Sequence, residues 1–118
     1  MPGPYAFSSA DWAGRSVALE ERQWINHIMR NRGWNDRRMI PLIRQTITDP
    51  DIAFESDRDA KRAEVWRYFD DVKDGQPGLL KVIVEYDTLT AQATSGDVIT
   101  AMVAPAVSSR GAQLWKRP

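Results

Sequence analysis

The chain has 118 residues, 42% hydrophobic and 27% charged, with a formal net charge of zero. That length and balance suit one globular domain able to bury a core without disulfides or a structural metal. Zero net charge counts against strong non-specific nucleic-acid binding, which rests on excess Lys and Arg. There is no cysteine, which excludes a disulfide scaffold, a thiolate zinc site and thiol catalysis, and is compatible with a reducing, cytoplasmic location. No apolar run nears the roughly 18 residues of a membrane span, so no membrane partner is expected. The opening "MPGPYAFSSADWAG" has neither the basic start nor the apolar middle of a secretory leader.

In chain order, residues 1–15 read as an extended N-terminal arm, because Pro2, Gly3 and Pro4 discourage regular structure. Tyr5, Phe7 and Trp12 give the arm aromatic side chains with which to pack on the body, a single domain over 16–118. Ser16 suits an N-cap, with Glu20 and Glu21 near the positive end of a helix dipole. Val17, Trp24, Ile25, Ile28 and Met29 recur at helical spacing, Arg30 and Arg32 fall in a last turn, and Gly33 is a natural stop. A helix is therefore predicted over 16–32. A second is predicted over 38–48, carrying Met39, Leu42, Ile43 and Ile47, with Pro41 tolerable only in its first turn and Asp49-Pro50-Asp51 ending it.

Beyond Pro50 the period changes. "DIAFES" supplies a short strand, and "AEVWRYF" (63–69) has the β-branched and aromatic content of another, with helix as its rival. "DGQPG" reads as a turn. "LLKVIVEYD" and "DVITAMVA" are the clearest strands, with Ser95-Gly96-Asp97 turning between them, and a short strand is expected near Gln113–Lys116. The expected architecture is α+β: two N-terminal helices packed on one face of a four- to five-stranded antiparallel sheet.

His27 is the single histidine. It lies roughly 130° around the helix from the centre of the apolar side, so it is not a core residue. A lone exposed histidine is most often an ordinary surface residue. Arg22, Arg30, Arg32, Arg37, Arg38 and Arg44 share a segment opposed only by Asp36, whereas Asp49–Asp74 is acid-rich. This is either a local basic face or a set of solvated helix charges. Alternation in "LLKVIVEYD" places Lys81 and Glu85 on one face and Leu80, Val82 and Val84 on the other. In "DVITAMVA", Ile99, Ala101 and Val103 suit the core, sending Val98, Thr100 and Met102 outward to join Lys81 and Glu85 on an open face. The plain alternative is an uncovered polar face without a function. In "AEVWRYF", burying an arginine is costly, so Trp66 and Tyr68 are expected to face the core and Arg67 the open side. No phosphate-binding glycine loop, HExxH or GxSxG occurs, and Glu55, Asp57 and Asp59 read as a solvated loop rather than a metal site.

The order of segments carries more. "HIMRNRGW" on a helix is followed by "LIRQTITDPDIAF", "EVWRYF", "LLKVIVEYD", "DVITAM" and "SSRGAQLW". From Trp24 to Trp115 this series resembles the phage- and toxin-associated branch of the barnase–EndoU–colicin–RelE-like nucleases. The resemblance implies helices on a curved antiparallel sheet and metal-independent RNA cleavage, without a cofactor, across the open sheet face. It assigns catalytic roles to His27, Arg67 or Tyr68, and Thr100, and it places Lys81 where such sequences commonly carry a lysine. An antitoxin or immunity protein would be a partner beside RNA.

In that chemistry a 2′-hydroxyl attacks the adjacent phosphorus, giving a cyclic phosphate and a free 5′-hydroxyl. His27 would act as base or acid, Arg67 and Lys81 would bind phosphate, and Thr100 would hydrogen-bond a phosphate oxygen. Trp66 or Tyr68 would stack a base, with Arg30, Glu85 and Arg110 completing the substrate-binding set. The sequence departs from the pattern at Asn31-Arg32-Gly33, where a second basic residue or histidine is usual, at Trp66-Arg67-Tyr68, and at Met102. With one histidine, the complementary acid falls to Tyr68, Glu85 or a lysine. The competing readings are a non-catalytic RNA- or protein-binding module, favoured by five tryptophans, and a structural dimer linked by the arm.

Overall fold

The computed structural model describes residues 4–34, 37–87 and 95–118, and strands dominate them. Their cause is visible as burial with a period of two. Val17 and Leu19 are buried on either side of half-buried Ala18, and Leu80, Val82, Val84 and Tyr86 are buried while Lys81, Ile83 and Glu85 are not. Seven strands result: β1 (Tyr5–Ala10), β2 (Ser16–Glu20), β3 (Ile52–Glu55), β4 (Arg62–Lys73), β5 (Gln76–Tyr86), β6 (Ser95–Ala104) and β7 (Gln113–Lys116). They form one sheet in the order β1-β2-β6-β5-β4-β3-β7. Neighbours are antiparallel except β2 and β6, which run parallel with Val17 opposite Gly96.

The expectation of two helices on a four- to five-stranded antiparallel sheet is thereby corrected to a mixed seven-stranded sheet with two short helices. The discrepancy has a local origin. Val17 lies seven residues before Trp24 and eleven before Ile28, a spacing that also fits a helical face, so the alternation of Val17 and Leu19 is hidden in the helical pattern. Ser16–Glu20 is strand β2, and the segment expected as an arm supplies β1, its antiparallel partner. Ser95, Gly96 and Asp97 are not a turn but the start of β6. Gly96 suits that place because a Cβ there would come within 2.8 Å of the Tyr86 ring.

The first helix begins at Glu21 and passes through Glu21–Gln23, a π-helical Trp24–Met29 and Arg30–Arg32 before Gly33 stops it in a left-handed conformation (φ 66°). Its wider turns bury Trp24 and Ile28 but leave Ile25 45% exposed, against the expectation that Ile25 joins the apolar side. The second helix spans Met39–Thr48, with Pro41 in its first turn, and buries Met39, Ile40, Ile43 and Ile47. Both helices contribute to one core with Val17, Leu19, Ala53, Ala63, Val65, Leu80, Val82, Val84 and Ala101. No helix among the described residues is long and apolar enough to cross a membrane.

Two features prepare the site. Strand β2 leaves β6 after Ala18–Asp97, and beyond that point the first helix takes over the edge. Gln23 Nε2 donates to the Ile99 carbonyl at 2.5 Å and Arg32 Nε to the Ala101 carbonyl at 2.9 Å, satisfying groups that lack a strand partner. At the far end of β6, residues 105–112 pass over the sheet to β7 at the opposite edge. They are anchored where Glu55 N–H donates to the Ala112 carbonyl at 2.8 Å.

Candidate functional site

The register of β4, β5 and β6 decides which side chains share the face opposite the helices. Trp66 pairs with Lys81 and Glu64 with Ile83. Lys81 pairs with Met102, Ile83 with Thr100 and Glu85 with Asp97. Lys81, Glu85, Thr100 and Met102 are thus gathered on one face, as their parity suggests. A bulge between Ile83 and Val84 inserts Ile99 and turns Val98 inward, where it is buried, so the expected outward Val98 is corrected.

The parity expected for β4 is reversed. Arg67 lies opposite Leu80 on the helix side, and its guanidinium is held by the end of the second helix. Nη1 contacts the Asp49 carbonyl at 2.5 Å and the Asp49 carboxylate at 3.2 Å. The half-buried guanidinium is offset at Nη1 by the negative end of that helix and a carboxylate, partners that only the tertiary structure supplies, while its Nε is buried without a hydrogen-bond partner. Trp66 and Tyr68 lie on the other face. Trp66 is 1% exposed and absent from the main core cluster, with Lys81 Nζ 5.1 Å from its ring centre, so it is covered and offers no stacking surface. Tyr68 is 50% exposed.

Across this face lies a cleft of about 660 Å³, bounded by Ser56, Asp57 and Arg58 on one side and by Ser108, Ser109 and Arg110 of the crossing segment on the other. Its floor is Arg62, Glu64, Lys81, Ile83 and Met102. Four cations, Arg58, Arg62, Lys81 and Arg110, face two carboxylates, Asp57 and Glu64. Arg62 is engaged with Glu85 at 3.2 Å and Asp59 at 3.6 Å. Arg58 and Arg110 have no ion pair among the described residues. The cleft is therefore electropositive within a neutral protein, with three serine hydroxyls at its rim.

Glu64 is the unusual member. It is 8% exposed, and Lys81 Nζ lies 3.8 Å from Oε2, while Oε1 is buried without a hydrogen-bond partner. A buried carboxylate oxygen in that condition is costly, and a donor from a bound molecule would relieve it. Sequence reasoning passed over Glu64, Arg62, Arg58 and the three serines. The available signal was parity, since Glu64 is two residues before Trp66 and shares its face whichever way β4 turns.

The remaining expected site residues stand apart from the cleft. His27 is exposed on the first helix, its Nδ1 3.4 Å from Asn31 Nδ2. Thr100 shares the open face, but its hydroxyl receives Arg32 Nη2 at 3.3 Å. Arg30 is exposed on the helix. Glu85 lies further along β5, where it lines a smaller cavity with Glu20 and Asp97. Among the expected residues the cleft thus collects Lys81 and Arg110. Comparison with known proteins finds no matching family model, no matching curated protein and no matching solved structure.

Proposed function

We propose that this chain is a metal-independent endoribonuclease that cleaves single-stranded RNA by 2′-hydroxyl transesterification in the cleft between residues 56–58 and 108–110. The observation that carries the reading is Glu64, a buried carboxylate with one unpartnered oxygen beside a lysine, in a cleft otherwise lined by cations and hydroxyls. A phosphate is repelled by Glu64 and drawn to Arg58, Arg62 and Arg110, whereas a sugar hydroxyl is the donor that Oε1 lacks. In this reading Glu64 takes the 2′-proton as the 2′-oxygen bonds to phosphorus. Arg62 and Arg110 steady the charge on the phosphorane, and the bond to the 5′-oxygen breaks as Lys81 supplies its proton. The products are a 2′,3′-cyclic phosphate and a 5′-hydroxyl. An antitoxin or immunity protein would act by covering this cleft.

The family resemblance assigns the chemistry instead to His27, Arg67 or Tyr68, and Thr100. One experiment separates the two assignments: total RNA incubated with the protein in EDTA, comparing wild type, Glu64→Gln and His27→Ala. Cleavage should survive the chelator, fall about 100-fold or more in Glu64→Gln, and change little in His27→Ala. The opposite pattern would move the centre to the first helix. A second reading, an RNA-binding module without turnover, draws on the ion pairs by which Lys81 and Arg62 are already engaged. It predicts salt-dependent binding with no cleavage by any of the three proteins.

A further inference from the structure

Strand β1 ends the sheet, so among the described residues one side of its backbone has no strand partner. The Asp11 N–H donates to the Arg15 carbonyl at 2.7 Å, and antiparallel alternation then makes Ser9–Val17 and Phe7–Leu19 the bonded pairs. Ser8 and Ala10 accordingly direct their N–H and C=O groups away from β2, and both residues are exposed. On the helix side of this edge runs a groove of about 500 Å³ with Ala6, Phe7, Ile40 and Pro41 as its apolar lining and Arg44 as its one ionisable group. Arg44 reaches Ser9 Oγ at 3.4 Å and makes no ion pair among the described residues.

We infer that this edge and groove form a second interaction surface, separate from the cleft, that takes an extended segment of a partner protein as an added strand. Backbone groups of the segment pair with Ser8 and Ala10, its alternate side chains enter the groove, and an Asp or Glu among them meets Arg44. Charge decides between a foreign segment and a second copy of this chain. Strand β1 reads Tyr-Ala-Phe-Ser-Ser-Ala, so self-pairing would supply no acid to Arg44 and would bring two such arginines toward one another.

The test is a displayed library of random extended peptides selected on the full chain, with the enriched peptides measured on Arg44→Glu and Ser8→Pro. Ser8→Pro removes an outward N–H and is tolerated on a sheet edge, so the fold and melting temperature should be kept. Enrichment of acidic residues flanked by β-branched ones, with binding weakened at least about tenfold in each variant, is the expected result. If Ser8→Pro lowers the melting temperature, the same peptide with its alternate amides N-methylated replaces it and should lose binding equally. Absence of any enriched sequence would overturn the inference. So would peptides indifferent to both changes, or a dimer that Ser8→Pro dissolves.

Discussion

At Asp97 the open face presents a carboxylate with an adverse environment. Burial holds its carboxyl above the usual range, and the nearby charges of Glu20 and Glu85 push the same way. A folded-state value raised above the unfolded one means that the native state binds the extra proton. Stability is then fullest below the ordinary value of 3.8 and falls as pH rises through the folded value. Asp97→Asn should melt higher than wild type at pH 7, with the gap closing toward pH 3, measured as melting temperature against pH. Tyr86 shows the same sign at the alkaline end. Burial first, and then the hydrogen bond of 2.7 Å that its hydroxyl donates to Asp11, keep the phenol protonated in the fold. Its contribution is present below the ordinary value of 10.0 and is lost above it, when the unfolded chain ionises. Tyr86→Phe should cost about 1 kcal/mol at neutral pH, and the difference from wild type should shrink in denaturant titrations above pH 10.

Arg67 shows how residue-scale reasoning goes astray. The energetic premise, that a buried arginine needs a partner, is sound. The partner is Asp49 at the end of the second helix, distant along the chain and invisible to strand parity. Asp49 also holds Arg117 at 2.9 Å, so the one carboxylate ties β4 and the segment after β7 to the helix end. In Glu64 the reverse holds: its type and parity are plain in the sequence, but its burial depends on what lies across the cleft.

Among the elements, the segment 105–112 shapes the site most directly. It is positioned by close backbone approach at Gly111, where an added Cβ would lie 1.6 Å from the Glu55 carbonyl oxygen. Gly111→Ala therefore requires the segment or β3 to shift, and should cost about 1–3 kcal/mol in denaturant unfolding. Since Ser108, Ser109 and Arg110 move with it, the RNA affinity expected of the proposed function should fall as well. The first helix has a comparable role at the other side of β6. Arg32→Ala removes the donor to the Ala101 carbonyl and frees the Thr100 hydroxyl, at an expected loss of roughly 1 kcal/mol. The π-helical turn in that helix accounts for the misplaced Ile25: a sequence laid on a regular helical wheel assigns it to the buried side, and the wider turn exposes it.

For the whole molecule, neutral net charge and an electropositive cleft together set the expected strength of binding. On the proposed RNA-cleaving role up to four cations would meet phosphate, so the slope of log affinity against log salt should be about −2 to −3 for single strands. Removing Arg58 or Arg110 should reduce that slope by about 0.7 each, read by fluorescence anisotropy over a salt series. Folding should also reflect the connectivity. Strand β2 pairs with β6 and β3 with β7, partners far apart in sequence, which places folding in the millisecond-to-second range of sheet-rich domains.

The sequence by itself determined where β3, β5 and β7 and the second helix lie, and which side of β5 is apolar, because a period of two or of 3.6 is a property of neighbouring residues; at β4 it left helix as a rival to strand. At Ser16–Glu20 it pointed to helix, and wrongly, because one set of apolar positions satisfied both periods. Only the tertiary structure chose the strand, by offering Val17 a parallel neighbour in β6 and a partner in β1. The partner of Arg67, the inward turn of Val98 at the bulge, and the cleft beneath residues 108–110 likewise depend on groups brought together from distant parts of the chain. Such meetings are set by the burial of the whole apolar surface at once, and no local pattern records them.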